Sequence, residues 1–348
     1  MKKLLVTLLK IALSLAIIAY LAWKSTRGEA NANAFAVLRD QPKHWGLLAA
    51  GGACCTVAVL LTFVRWWYLV IALGVPLQLR DAFRISFWGY LLNFLPLGIV
   101  GGDVFKAWML AHEHSQYRAK ALASVLFDRV VGLYLLFVVA SASMLLTGFW
   151  RIKQPTLHWI CNATFLATLA GTVILAAIFG PDLSRGGVNR AIGRIPRIGP
   201  PLERVLDALR MYSAKPTVLL LSSLMSITVH SLFAGACYLI ARGLPGNTLS
   251  LGMYFVVMPL SSAAGVLPLP MGPLEWTLYT LYKLVPATVT IAEGQGFVVA
   301  LAYRAVTVLI VVFGIPYYFG NRREMAEVIH EVEAETPELA AAGNELPG

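Results

Sequence analysis

The sequence predicts an all-α polytopic membrane protein made of two inverted repeats, each holding a re-entrant broken-helix hairpin, with six full spans plus the two hairpins. Three observations carry this expectation. Of the 348 residues, 58% are hydrophobic and only 13% are charged, and the mean hydropathy is +0.70, well outside the range of soluble domains. Apolar runs alternate with short basic connections. Two of those runs are broken by one pattern, Leu-Pro followed by a carboxylate seven residues after the proline: Leu95-Pro96 with Asp103, and Leu267-Pro268 with Glu275.

Charge and composition also exclude several function classes. A net charge of +10 points to nucleic acid in a soluble protein, but here the basic residues fall between apolar segments, as the positive-inside rule requires. We therefore expect a lipid bilayer and no nucleic acid as partner. Cys54, Cys55, Cys161 and Cys237 lie in apolar segments without disulfide or metal-ligand spacing. His112-Glu113-His114 lacks the i, i+4 spacing of a helical zinc pair, and the sequon at Asn162 lies within a hydrophobic run. No metal site, cofactor motif or catalytic constellation is expected.

Residues 1–23 begin with Lys2 and Lys3 and continue apolar, which suits either a cleaved leader, with Ala30-Asn31-Ala32 as a small-residue site, or a retained first helix. Lys10 and the length of the run favour the retained helix, since about 20 residues suffice to span. Its lysines place the N-terminus in the cytoplasm. A second span is expected over 46–73, containing Arg65, and Arg80 and Arg84 mark the turn that follows. The first hairpin is expected over 82–111, and spans over 121–149 and 157–179 come next.

Residues 181–215 form the longest polar connection and the strongest orientation signal, with seven basic residues and a short amphipathic stretch at 202–211. A span over 216–241, the second hairpin over 249–284 and a span over 295–319 complete the set. One domain thus covers 1–320, with repeat units at about 46–149 and 216–319, and the acidic tail at 321–348 is expected to be cytoplasmic and disordered. Lys24, Arg27, Arg39 and Lys43 fall on the outer side in this topology, against the general trend.

Three anchors align the halves in one order: Tyr68-Leu69 with Tyr238-Leu239, Leu95-Pro96 with Leu267-Pro268, and Arg129 with Arg304. If the hairpins do not fully cross, each unit contributes two crossings and the helix at 157–179 adds one between them. The second unit is then inverted, as in transporters whose sites lie at the midplane between broken helices. A rival topology has the hairpin arms crossing fully.

A broken helix deep in a bilayer leaves free N–H groups where its second half begins, and these suit an anion. Gly101-Gly102 and Gly272 stand at those starts. They serve either a phosphate-bearing headgroup or close helix packing. An ionisable side chain at the membrane centre costs about 2.5–3.5 kcal/mol on insertion scales, so each needs a partner or water. The expected pairs are Asp103 with Lys106 or Arg129, and Glu275 with Arg304, acting at the substrate or as structural locks. Arg65, beside Trp66 and Trp67, is expected to snorkel to an aromatic belt, with phosphate contact as a weaker reading. Asp128 is expected to partner Arg129 or to cap a helix end.

The motifs Asn93-x-Leu95-Pro96-x-Gly98-x-x-Gly101-Gly102-Asp103, Asp128-Arg129-x-x-Gly132-Leu133, Leu267-Pro268-x-Pro270-x-Gly272-x-x-Glu275 and Tyr303-Arg304 resemble the transmembrane, flippase-like region of the lysylphosphatidylglycerol synthases. The likeness covers nearly the whole chain. It implies a module that moves a phospholipid or lipid-linked headgroup between leaflets of the cytoplasmic membrane. In aminoacylating members a soluble transferase domain follows; the present sequence ends at Gly348, and we expect the membrane module alone, a transporter and not an enzyme. On this reading the loops at Asn93, Pro96, Gly101, Gly102, Pro268 and Gly272, with Lys106, Arg129, Arg304 and secondarily Arg65, bind the substrate. Asp103 and Glu275 balance those cations, and Pro96 approaches Pro268 in the membrane interior. The alternative is a non-catalytic scaffold or accessory subunit of envelope lipid or glycan synthesis, whose buried pairs only stabilise the fold.

Overall fold

The computed structural model describes residues 2–26, 34–93, 101–179, 207, 210–267, 269, 271–286 and 289–314. Among them the chain is helical throughout, with no β-strand. The helices are α1 (Lys2–Thr26), α2 (Ala34–Asp40), α3 (Trp45–Ala72), α4 (Leu79–Leu92), α5 (Gly102–Glu113), α6 (Arg118–Leu146), α7 (Pro155–Phe179), α8 (Pro216–Gly243), α9 (Leu251–Ala264), α10 (Pro273–Leu284) and α11 (Gln295–Phe313). Helix is the outcome lipid demands of an apolar run, because every backbone N–H and C=O must be satisfied within the segment.

Five helical stretches among the described residues are long and apolar enough to cross a membrane: Trp45–Ala72, Ser115–Leu146, Pro155–Ala176, Pro216–Gly243 and Gln295–Phe313. Their limits lie within a few residues of those expected from hydropathy. The 25-residue α1, about 38 Å long at 1.5 Å per residue, is also long enough. The short helix α2 was not anticipated from the sequence. The expected amphipathic stretch at 202–211 lies largely, and the acidic tail wholly, outside the described residues, as do Pro96 and Pro268.

The axis of the bundle is the antiparallel pair α3 and α8. At one end the His44 N–H donates to the Gly243 carbonyl, at 2.9 Å. At the other, Lys215 Nζ donates to the Ala72 carbonyl at 2.5 Å and the Tyr212 hydroxyl to that of Leu69 at 2.9 Å. Small residues let the two backbones approach. A methyl group at Gly51 would stand 2.8 Å from Ile240 Cγ1, and one at Gly243 would stand 2.8 Å from Leu48 Cγ. Cys55 and Cys237 are free, fully buried thiols in the same interface, small fillers of the kind close helix packing favours.

Two pairs of short helices pack on this axis. In both pairs the first helix has 14 residues and the second 12, about 21 and 18 Å, short of the roughly 30 Å hydrocarbon core. The α4–α5 pair opens at the Lys215 end, where α4 follows α3 directly and Arg84 Nη2 donates to Glu113 Oε1 at 2.6 Å across the mouth. The α9–α10 pair opens at the His44 end, where Thr248 bonds the hydroxyls of Tyr254 and Tyr282 at 2.7 and 2.9 Å. One apolar core joins α3 and α8 to α9, α10 and α11, and a second joins α3 to α4, α5 and α6. Helix α7 packs mainly on α6, sets Leu157 and Cys161 into the apolar core, and presents Trp159, Leu166, Leu169, Val173 and Ile174 outward, as a lipid-facing helix should.

Candidate functional site

The first pair of short helices is held together at its inner end by glycine. The backbones of Gly89 on α4 and Gly102 on α5 touch so closely that a methyl group on Gly102 would overlap the Gly89 carbonyl oxygen. The Gly102 N–H donates to Asn93 Oδ1 at 3.0 Å, so Asn93 caps α5 from the end of α4. Gly101 precedes this contact, and among the described residues nothing lies within 4 Å of where a methyl group on it would stand. Asp103 and Lys106 follow on the first turns of α5.

Asp103 takes Arg129 of α6 as its partner: Arg129 Nε stands 2.5 Å from Oδ2, and Nη2 donates to Oδ1 at 2.6 Å. This two-point contact is partly exposed, with 56% of the Arg129 side chain accessible. The expected alternative, Lys106 with Asp103, does not form. Lys106 turns the other way, its stem against Gly89 and its ammonium 5.0 Å from the Trp66 ring and 5.7 Å from that of Phe63. The missing side chain at Gly89 makes the room, and two aromatic faces attract the cation. Lys106 is 8% exposed and makes no ion pair among the described residues.

Arg65 corrects the sequence reading. It does not snorkel to an interface; it is buried between helices. Its Nε donates to Asp128 Oδ1 at 2.8 Å and its Nη1 to the Ser226 hydroxyl at 2.6 Å. Asp128 therefore partners neither Arg129 nor a helix end. Gly132, one turn after Asp128, leaves space for the guanidinium, since a methyl group there would stand 3.3 Å from Arg65 Nη2. His230, one turn after Ser226, places Nε2 2.9 Å from the Gly132 carbonyl. Desolvation sets this geometry: removing a buried charge from water is offset only by close, fully bonded partners. The consecutive Asp128 and Arg129 thus serve opposite sides of α6. The spacings Asp128/Gly132 and Ser226/His230, each i, i+4 on one helix face, were the signal that sequence reasoning passed over.

Arg65, Asp103, Lys106, Asp128 and Arg129 lie near enough to interact electrostatically. Three basic side chains, Arg65, Lys106 and Arg129, thus gather around two carboxylates, Asp103 and Asp128.

The second pair of short helices repeats the plan with a tighter result. Gly272 adopts φ +111°, a conformation that favours glycine, and its N–H donates to Glu275 Oε2 at 2.8 Å. The other carboxylate oxygen accepts from Arg304 Nε of α11 at 2.6 Å. Glu275 is completely buried. It closes the first turn of α10 and pairs with Arg304 through the same group, so this side sets one acid against one arginine where the first sets two acids against three basic side chains. In each half the acid in the first turn of the second short helix bonds the arginine of the long helix that follows, as expected. The approach of Pro96 to Pro268 lies outside the described residues.

Comparison with curated proteins and with solved structures finds no match. The sequence profile of one family matches residues 8–314, nearly the whole described molecule, including both helix pairs and every charged residue above. The chain belongs to the family described as the lysylphosphatidylglycerol synthase TM region.

Proposed function

We propose that this protein carries a phosphate-bearing lipid headgroup between the leaflets of the cytoplasmic membrane and performs no enzymatic step. The observation that carries the reading is that three basic side chains, Arg65, Lys106 and Arg129, meet only two acids, Asp103 and Asp128, at the inner end of the α4–α5 pair. Lys106 is the cation there without an ion-pair partner among the described residues. An anion entering beside it gains charge-assisted hydrogen bonds in a medium of low dielectric.

The architecture supports transport in a second way. Short helix pairs that open at opposite ends of an antiparallel axis have the arrangement of inverted-topology hairpins entering from opposite leaflets. Counting α1 as the sixth crossing puts both termini in the cytoplasm. In this reading Asn93 and Gly102 fix the site, and Lys106 and Arg129 hold the phosphate. Asp103 releases Arg129 as access alternates, and Glu275 with Arg304 braces the opposite hairpin.

Reconstitution into vesicles with a labelled anionic phospholipid tests this. Lys106→Gln should slow leaflet exchange about 10- to 100-fold, the range set by the loss of one hydrogen bond to a charged group. Unchanged exchange in both Lys106→Gln and Arg129→Ala, with both proteins folded, would sink the assignment. The enclosed geometry of Glu275 favours a second reading, in which that pair is purely structural. Retained folding and cellular function in the double variant Glu275→Gln/Arg304→Gln would make the scaffold the better description of that half.

A further inference from the structure

The charges around Lys106 balance without it. Asp103 is taken by Arg129 at 2.5 Å and Asp128 by Arg65 at 2.8 Å. Among the described residues these four are the charged groups near enough to act on the Lys106 side chain. Asp103 shares its helix, Asp128 and Arg129 come from α6, and Arg65 comes from α3. From α4 it meets Gly89, and Tyr90 stands beside the Phe63 ring. Arg84 of α4 is held by Glu113 at the mouth of the pair.

A charge on Lys106 is therefore one more than the empty site can pair. The side chain is buried, and its nitrogen faces the rings of Trp66 and Phe63 at 5.0 and 5.7 Å, both buried as well. Ring faces attract an ammonium but replace only part of the hydration it gives up. A buried group in that position sheds its charge instead, and lysine, unlike arginine, can do so by losing a proton. Trp66 adds a second, independent observation. Its Nε1 is buried and has no hydrogen-bond partner among the described residues. An indole N–H only donates, so it cannot serve an ammonium and suits the oxygen of an anion.

We propose that Lys106 is an uncharged amine in the empty site and takes up one proton with each anion that enters, so that the carrier moves anion and proton together. The inference rests on the reading of this site as a headgroup carrier and names what is coupled to it. The proton comes from water at the open mouth and forms the third N–H bond of the ammonium. The anion balances the charge so created, and Trp66 Nε1 supplies a further donor to one of its oxygens. When the anion leaves on the far side that N–H bond breaks and the proton follows into water there. A singly charged headgroup thus crosses with its charge neutralised, which avoids the cost of an unpaired ion at the membrane centre.

The chain in phosphatidylcholine nanodiscs is titrated with dihexanoyl phosphatidylglycerol, whose phosphodiester stays ionised throughout, in weak buffer with a pH-indicator dye. The range is about pH 7–9, where an exposed lysine is already charged and would take up nothing. Binding to the wild type should take up about one proton per site and weaken about tenfold per pH unit as pH rises, the slope of one linked proton. Lys106→Arg, charged at every pH in the range, should bind with no uptake and a flat pH profile. Lys106→Gln should bind more weakly, also without uptake. Binding by the wild type without uptake, or undiminished uptake at saturating lipid in either folded variant, overturns the inference and leaves the transport reading standing. Uptake on binding without leaflet exchange of labelled phospholipid in vesicles overturns the transport reading alone. A folded wild type that does not bind the anion overturns both.

Discussion

Arg65 and Asp128 show how a single buried pair ties three helices together. The guanidinium of α3 bonds the carboxylate of α6 and the Ser226 hydroxyl of α8, so removing either charge strands the other where water cannot reach it. We expect Asp128→Ala to destabilise the protein by about 3–5 kcal/mol, the cost of one uncompensated buried charge. The double replacement Arg65→Met/Asp128→Leu should recover much of that loss. Thermal unfolding in detergent checks both, and a single variant as stable as the wild type would refute the account. The sequence carried only pieces of this partnership, the i, i+4 spacings Asp128/Gly132 and Ser226/His230; Arg65 itself lies 63 residues from Asp128, and no local spacing joins those two. Asp103 with Arg129 and Glu275 with Arg304 were legible, because in each half one acid follows the helix break and one arginine sits in the next span.

At the scale of elements, Gly101 and Gly102 are neighbours with different duties. Among the described residues nothing comes within 4 Å of a methyl group placed on Gly101, whereas Gly102 touches the Gly89 carbonyl. Gly101→Ala should therefore leave folding intact, and Gly102→Ala should force α4 and α5 apart, with loss of folded yield measured by size-exclusion chromatography in detergent. Equal yields would show that the two helices are not packed through this point. The breaks themselves were readable from Pro96, Pro268 and the glycines, since each opposes a continuous helix. The spans were readable because bilayer thickness fixes their length. The direction taken by Lys106 was not readable: it depends on the space at Gly89 and on two rings from another helix, both products of packing. Helix α2 escaped for a related reason, being too short for hydropathy to register.

The two helix pairs open at opposite ends of one bundle, and membrane sidedness turns that geometry into a measurement. Gln116 lies in the exposed turn after α5, at the mouth of the first pair, and Thr290 in the exposed connection after α10, at the mouth of the second. Opposed mouths place Gln116→Cys and Thr290→Cys on different sides of a sealed vesicle, so an impermeant maleimide should label each from one side only, and from opposite sides. Labelling of both from one side would end the inverted-repeat reading. Gly101→Cys then separates short arms from fully crossing ones. Arms of about 21 and 18 Å stop within a core of roughly 30 Å, so this thiol should resist reagent added on the Thr290 side. Rapid labelling there would mean that the arms traverse the bilayer, and the cation cluster beside Lys106 would then sit near an aqueous surface. Resistance there, together with reaction from the Gln116 side through a hydrated mouth, would put that cluster at the depth an alternating-access site requires.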